Sequence, residues 1–191
     1  MKPWVRILVM ICGLVVMAGG IAKIGRAFQG TKVDPEVTRL SQESDRAFTK
    51  ANQLLEEAGP IFKRVLDSVD EDGLAAVRTG KKDEAAKAAA LYQQAAEQLR
   101  QAGLKALDAA ALKPAGYAVA FLETKAEAYR TFAAARDLNR DIALMVLDES
   151  IKTGEELVPK VLEAANRRDQ LEASANEAVL RADKVVSDAK K

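Results

Sequence analysis

The residues of this chain that could do chemistry are few, and their types set narrow limits. There is no histidine, and the one cysteine, Cys12, lies inside an uncharged stretch. Cys/His metal sites, histidine general bases and intramolecular disulfides are therefore excluded. Carboxylates abound as neighbours, in Glu56-Glu57, Asp70-Glu71-Asp72 and Glu155-Glu156. Such runs belong to solvated helix faces. The turn Asp70-Glu71-Asp72-Gly73 has oxygen ligands for calcium but lacks the alternation and closing Glu of an EF-hand loop. Gly19-Gly20 is no phosphate loop, because no Lys-Ser/Thr pair follows it. The sequence predicts no catalytic, cofactor-binding or metal-binding residue and no cofactor. An enzyme is not expected.

Three polar residues stand out by position: Ser44, Asn139 and Arg168 interrupt otherwise apolar helix stripes. The expectation is that they sit at bundle ends or beside water, with Arg168 reaching solvent along its alkyl stem. A buried polar layer that fixes helix register is the second reading, and a ligand-binding cluster the third.

The elements that must position these residues read as long helices. From Val37 the stripe runs Val37, Leu40, Ser44, Ala47, Ala51, Leu54, Ala58, Ile61 and Val65, in alternating steps of three and four. That is a heptad seam. Asp34-Pro35 marks its start. Gly59-Pro60 falls inside it in phase, which predicts one kinked helix to about Val69. "RTGKKDEAA" reads as a turn. A second helix, from about Asp83 to Ala110, carries Leu91, Tyr92, Ala95, Leu99, Ala102, Ala106 and Leu107, small residues that let a neighbour come close. "ALKPAG" breaks the chain at Pro114. A third helix, from about Ala115 to Ser150, holds most of the aromatics of the helical domain (Tyr117, Phe121, Tyr129, Phe132) and is the expected centre of the core. Thr153 with Glu156 forms a capping box for a last helix. The alternative there is a single helix kinked at Pro159. Its seam runs Leu157, Val161, Ala164, Arg168, Leu171, Ala175, Ala178, Ala182, Val185 and Ala189. No segment alternates with the period of a strand. The expectation is an all-α fold, an Ala-rich antiparallel bundle or coiled coil of three to four long helices over residues 36–191.

Residues 1–27 are of another kind. Ile7 to Ala22 carries no charge, with Arg6 before it and Lys23 after. As a helix it spans about 24 Å, somewhat short of a hydrocarbon core of about 30 Å. Val5 and Ile24 extend it, and Trp4 occupies an interfacial position. A retained signal-anchor contacting the lipid bilayer is expected. The alternative is a signal peptide cut after Ala22, giving a secreted or periplasmic protein. Ile11 is too bulky for Cys12 to be a lipid-attachment cysteine. Gly13 and Gly20 share a face that would suit self-association. Residues 28–35 form the juxtamembrane linker.

Five of the 29 basic residues and none of the 28 acidic ones precede Asp34, so the remainder carries a formal charge of −4. An acidic body without a basic stripe argues against nucleic acid as a partner. In outline, an anchor followed by a helical bundle is similar to bacterial chemoreceptor sensor domains and LemA-like proteins, without a shared motif. The expected function is a scaffold, tether or adaptor at the cell (inner) membrane, single-pass, with its carboxy-terminal domain outside the cytoplasm, acting on protein partners or by self-association. The alternative is a ligand-sensing bundle that works with a partner subunit.

Overall fold

The computed structural model describes residues 34–189 except Ala115, and the side chains of Asp70 and Glu71 lie outside that description. All of its regular structure is α-helical: α1 (Pro35–Glu71), α2 (Leu74–Gly80), α3 (Lys82–Ala111), α4 (Ala118–Leu147) and α5 (Gly154–Asp188). Four helices are long, and the described residues hold no strand.

Local chemistry explains the boundaries. The Asp34 carboxylate accepts a hydrogen bond from the Glu36 amide at 2.8 Å, satisfying one orphan donor of α1. Pro35 opens the helix, where its missing N–H costs nothing. Pro60 lies inside α1, which continues through it as one element. The α5 start is a capping box. The Glu156 amide donates to Thr153 Oγ1 at 3.2 Å, and the Glu156 carboxylate accepts from the Lys152 amide at 2.7 Å. The helix α4 ends at Leu147 and α5 begins only at Gly154, so they are separate helices, with Pro159 inside the first turns of the second.

The stretch expected as a turn before α3 is mostly helical: residues 78–80 close α2, and Lys82 onward belongs to α3, with Lys81 alone between them. The seven residues of α2 bury Leu74 and Val77, too few positions for a 3.6-residue period to show. Arg78 fastens it to the bundle. Its guanidinium donates to the carbonyl oxygens of Val146, at 3.0 Å, and of Asp148. The end of a helix leaves such carbonyls short of intrahelical donors, and the Asp148 oxygen also accepts from the Ile151 amide at 3.1 Å.

Ion pairs between helices give the chain direction. Glu43, Glu57 and Arg64 of α1 meet Lys105, Lys87 and Glu84 of α3, numbers rising on one helix and falling on the other. Arg100 of α3 meets Asp137 of α4, and Gly103 lies against Ala126. Glu127 and Arg136 of α4 meet Arg181 and Glu172 of α5. Each successive pair of long helices is antiparallel, and α3 packs closely against both α1 and α4.

Two helices lie inside the bundle, α3 between α1 and α4, and α4 between α3 and α5; α4 carries the fully buried aromatics, as expected of the third long helix. The buried face of α3 is mostly alanine, and a Cβ added at Gly103 would sit 3.3 Å from the Ala126 carbonyl oxygen. Bulk comes from the neighbours: Phe48 and Phe62 on α1, and Phe121, Tyr129 and Phe132 on α4. The buried stripes are also wider than a two-position seam. Phe48 and Phe62 lie one residue beyond the seam members Ala47 and Ile61, and all but Ala47 are buried. That breadth is the mark of a bundle rather than of a coiled coil.

None of the helices of the described residues is long and apolar enough to cross a membrane. The stretch Ile7 to Ala22, expected as the anchor, lies outside the described residues.

Ala135 is fully buried in α4 beside Phe132. Ala135→Leu should therefore overpack the core and cost about 1–3 kcal/mol in urea denaturation. An unchanged midpoint would contradict this packing.

Candidate functional site

The apolar interior falls into two halves stacked along the bundle axis. One joins Ala58 to Val69 of α1, α2, and the facing parts of α3, α4 and α5 through Ile142, Val146, Leu157 and Val161. The other joins Val37, Leu40 and Phe48 to Ala109, Phe121, Tyr129, Phe132 and Ala182. On α4 the halves meet between Ala133 and Ile142, and on α5 between Ala165 and Ala175. The residues in those gaps are polar and buried: Arg136, Asn139 and Arg168, with Glu172 half-buried.

Within this layer Arg136 Nη2 pairs with Glu172 Oε1 at 2.7 Å, the two side chains only 11% and 16% exposed. Arg136 Nε is buried without a hydrogen-bond partner. Arg168 Nη1 points to Asn139 Oδ1 at 3.4 Å, at the outer limit for a hydrogen bond. Its Nε and Nη2 both donate to Asp169 Oδ1, at 2.9 and 2.5 Å. Arg140 lies just outside and pairs with Asp141 at 2.7 Å. That carboxylate raises the Arg140 pKa above its ordinary value. Each of these arginines thus has a carboxylate beside it, so the layer offers no uncompensated charge to an ionic ligand.

These contacts correct the expectation for the polar seam residues. Ser44, Asn139 and Arg168 are all buried; they do not sit at bundle ends or beside water. The Arg168 side chain is 9% exposed, so it does not reach solvent along its stem. Asn139 and Arg168 meet, but Ser44 lies elsewhere, within the half that contains Phe121 and Tyr129. Its hydroxyl donates to the Ala102 carbonyl oxygen at 2.8 Å, a reach that the close α1–α3 approach permits.

A second polar group surrounds Ser44. Lys125 of α4 is buried, and its Nζ donates to Asp45 Oδ1 at 2.6 Å while lying 5.6 Å from the Tyr129 ring centre and 5.9 Å from that of Phe121. Phe48 stacks on Tyr129 at 5.0 Å. The Tyr129 hydroxyl is buried and makes no well-aligned hydrogen bond. Burial holds its pKa well above the usual value and the Asp45 charge adds to this, while the neighbouring Ser44 hydroxyl opposes them.

Lys125 and Arg136 are the buried charges that the polar-seam reading passed over. Spacing could have found both. Lys125 lies four residues from Phe121 and four from Tyr129, and Arg136 follows Leu122 and Tyr129 at intervals of seven. Both are seam positions occupied by charge. Among the carboxylate runs, Glu56-Glu57 and Glu155-Glu156 lie on exposed helix faces. No group of three or more metal-binding side chains occurs among the described residues.

The layer can hold two helices in one register. A shift of α5 along α4 would separate Arg136 from Glu172 and Arg168 from Asn139 together; Arg168 would keep Asp169 on its own helix, but Arg136 and Glu172 would lose each other inside the bundle. It has neither a nucleophile with an adjacent base nor a metal cluster among its members. No family model matches the chain, and no curated protein or solved structure does either.

The pair makes a sharp expectation. Glu172→Leu strands the buried Arg136 and should cost about 3 kcal/mol, whereas the Arg136→Leu/Glu172→Leu double variant should recover most of that loss. Urea denaturation of the four proteins of the cycle measures both. A double variant as unstable as the single one would show that the pair is not coupled.

Proposed function

We propose that this protein is a membrane-anchored helical-bundle scaffold, tether or adaptor that acts by protein–protein interaction outside the cytoplasm. The observation that carries the reading is the commitment of the interior. Its polar layer is neutralised, Arg136 by the largely buried Glu172 and Arg168 by the exposed Asp169 beside it, and aromatic and aliphatic side chains fill the two halves above and below it. What such a domain presents to other molecules is the outside of long helices, the surface by which bundles meet other helices. The uncharged run Ile7 to Ala22 and the short linker after it supply the attachment to the bilayer in this reading. Its basic n-region and the long domain that follows favour an amino terminus in the cytoplasm.

The ligand-sensing alternative draws on the Tyr129 hydroxyl and Arg136 Nε, two buried polar groups without good partners. It is the weaker reading, because the Arg136 charge already has Glu172 against it.

Two measurements on the full chain test the proposal. The protein should stay in the membrane fraction through carbonate extraction, and its intact mass should retain the leader. A mature chain beginning near Lys23 would overturn the anchor. Cross-linking in native membranes should then join the domain to another protein chain or to a second copy, and Leu180→Glu or Leu104→Glu should abolish a cross-link made through that face. Both leucines are exposed, so the fold should survive the change. A domain that never cross-links to a polypeptide would overturn the interaction role.

A further inference from the structure

We propose that the bundle makes a second contact with the lipid surface, through the tip formed by Leu112, Lys113 and Tyr117. This rests on the anchored reading above and says which end of the domain faces the bilayer.

The direction of the chain places the tip. Val37 and Leu40, at the start of α1, share a core half with Ala109 and Ala110 at the end of α3 and with Phe121 and Leu122 at the start of α4. The chain therefore enters the domain at the end where α3 passes to α4. Residues 23–33 join the apolar stretch to Asp34 and span at most about 40 Å when fully extended. The tip is held within reach of the membrane to which the anchor is fixed. A tethered contact needs little affinity of its own, because attachment keeps its effective concentration high.

The chemistry of the tip suits the layer where headgroups meet acyl chains. Between Asp108 and Glu123 the sequence has no acid, and its only charge is Lys113. Leu112 is 46% exposed, a large apolar side chain turned to solvent. Tyr117 is half-buried and combines an apolar ring with a polar end. Lys113 is exposed, and its side chain has no hydrogen bond or ion pair to the other described residues. Its backbone lies at φ +50°, in the left-handed region where a lysine is disfavoured and glycine is not. Its placement before Pro114 makes the position harder still. An exposed lysine there, without a side-chain partner among the described residues, is placed to meet anionic headgroups. Tyrosine and lysine are usual interfacial side chains, and an exposed leucine beside them can sink toward the acyl chains. The nearby carboxylates of Asp34 and Glu36 are occupied, the first capping α1 and the second paired with Arg39.

Spin-labelled lipids test the tip directly. The full chain with Trp4→Phe would be placed in vesicles of phosphatidylcholine and phosphatidylglycerol carrying a nitroxide near the headgroup. Leu112→Trp reports on the tip and Ser150→Trp on the opposite end. The expected result is strong loss of fluorescence for Leu112→Trp, none for Ser150→Trp, and recovery of the Leu112→Trp signal when Lys113→Glu is added. Far-ultraviolet circular dichroism checks that each variant folds, with Ala111→Trp as the substitute reporter if Leu112→Trp does not. Vesicles that carry the protein on flotation but leave the tip unquenched, or quench both ends alike, would overturn this inference and leave the anchor standing. Protein that fails to float with the vesicles would overturn the anchor itself, and the tip contact with it.

Discussion

The closeness with which α3 lies against its two neighbours is the constraint on which the rest of the structure depends. Alanine along most of its buried face, and Gly103 beside the Ala126 carbonyl of α4, leave little side chain to hold the backbones apart. A Cβ at Gly103 would press on a backbone oxygen, which cannot swing aside as a flexible side chain can. Such a small surface buries little apolar area of its own, so the large residues must come from the partners. Phe62 and Phe48 of α1 meet this need, the first against the edge of Tyr92 and the second stacked on Tyr129. Small against large at each level is how a core reaches native density without strain. The Ser44 hydroxyl can satisfy itself on a carbonyl of the adjacent helix only because that helix is so near.

The polar layer acts on a different interface. Helices bearing repeated heptads of alanine and valine can slide by one heptad at small cost, and the α5 seam is of that kind. Buried pairs at one height between α4 and α5 raise that cost, since a shifted α5 would bring apolar residues to Arg136 and charged ones to the apolar halves. Such pairs contribute little net stability, because their desolvation offsets their attraction. Their role in this account is to specify one arrangement, while the apolar halves above and below supply the stability. Surface pairs such as Arg181 with Glu127, half exposed on both sides, add little to either.

Much of this was legible in the sequence, for definite reasons. Steps of three and four located α1 and α5, since most of their seam positions are buried as that spacing requires. Asp34 and Thr153 marked helix starts because capping needs particular side chains at particular offsets. The spacing rule failed where a single stripe was too narrow a template. It missed Phe48 and Phe62 by one residue, and a stripe defined by apolar residues leaves out Lys125 and Arg136, which are buried on that face although charged. The short α2 left no period to detect. The candidate layer was only partly visible. Asn139 and Arg168 were singled out from their own helices, but their meeting, and the Arg136–Glu172 pair, depend on how two helices align. Spacing within one helix does not carry that information.

Native-state hydrogen exchange on the full chain tests most directly the claim that the close packing of α3 against α1 and α4 is what holds the bundle together. Amides in the middle of α3, from about Ala95 to Ala106, should be the slowest in the protein. They should open only with global unfolding, at the free energy that urea denaturation gives. The outer helices α1 and α5 should show lower-energy openings toward their ends. If α3 exchanges through local opening while α1 or α5 holds its protons longer, the close packing around α3 is not what the structure depends on, and the account fails at its root.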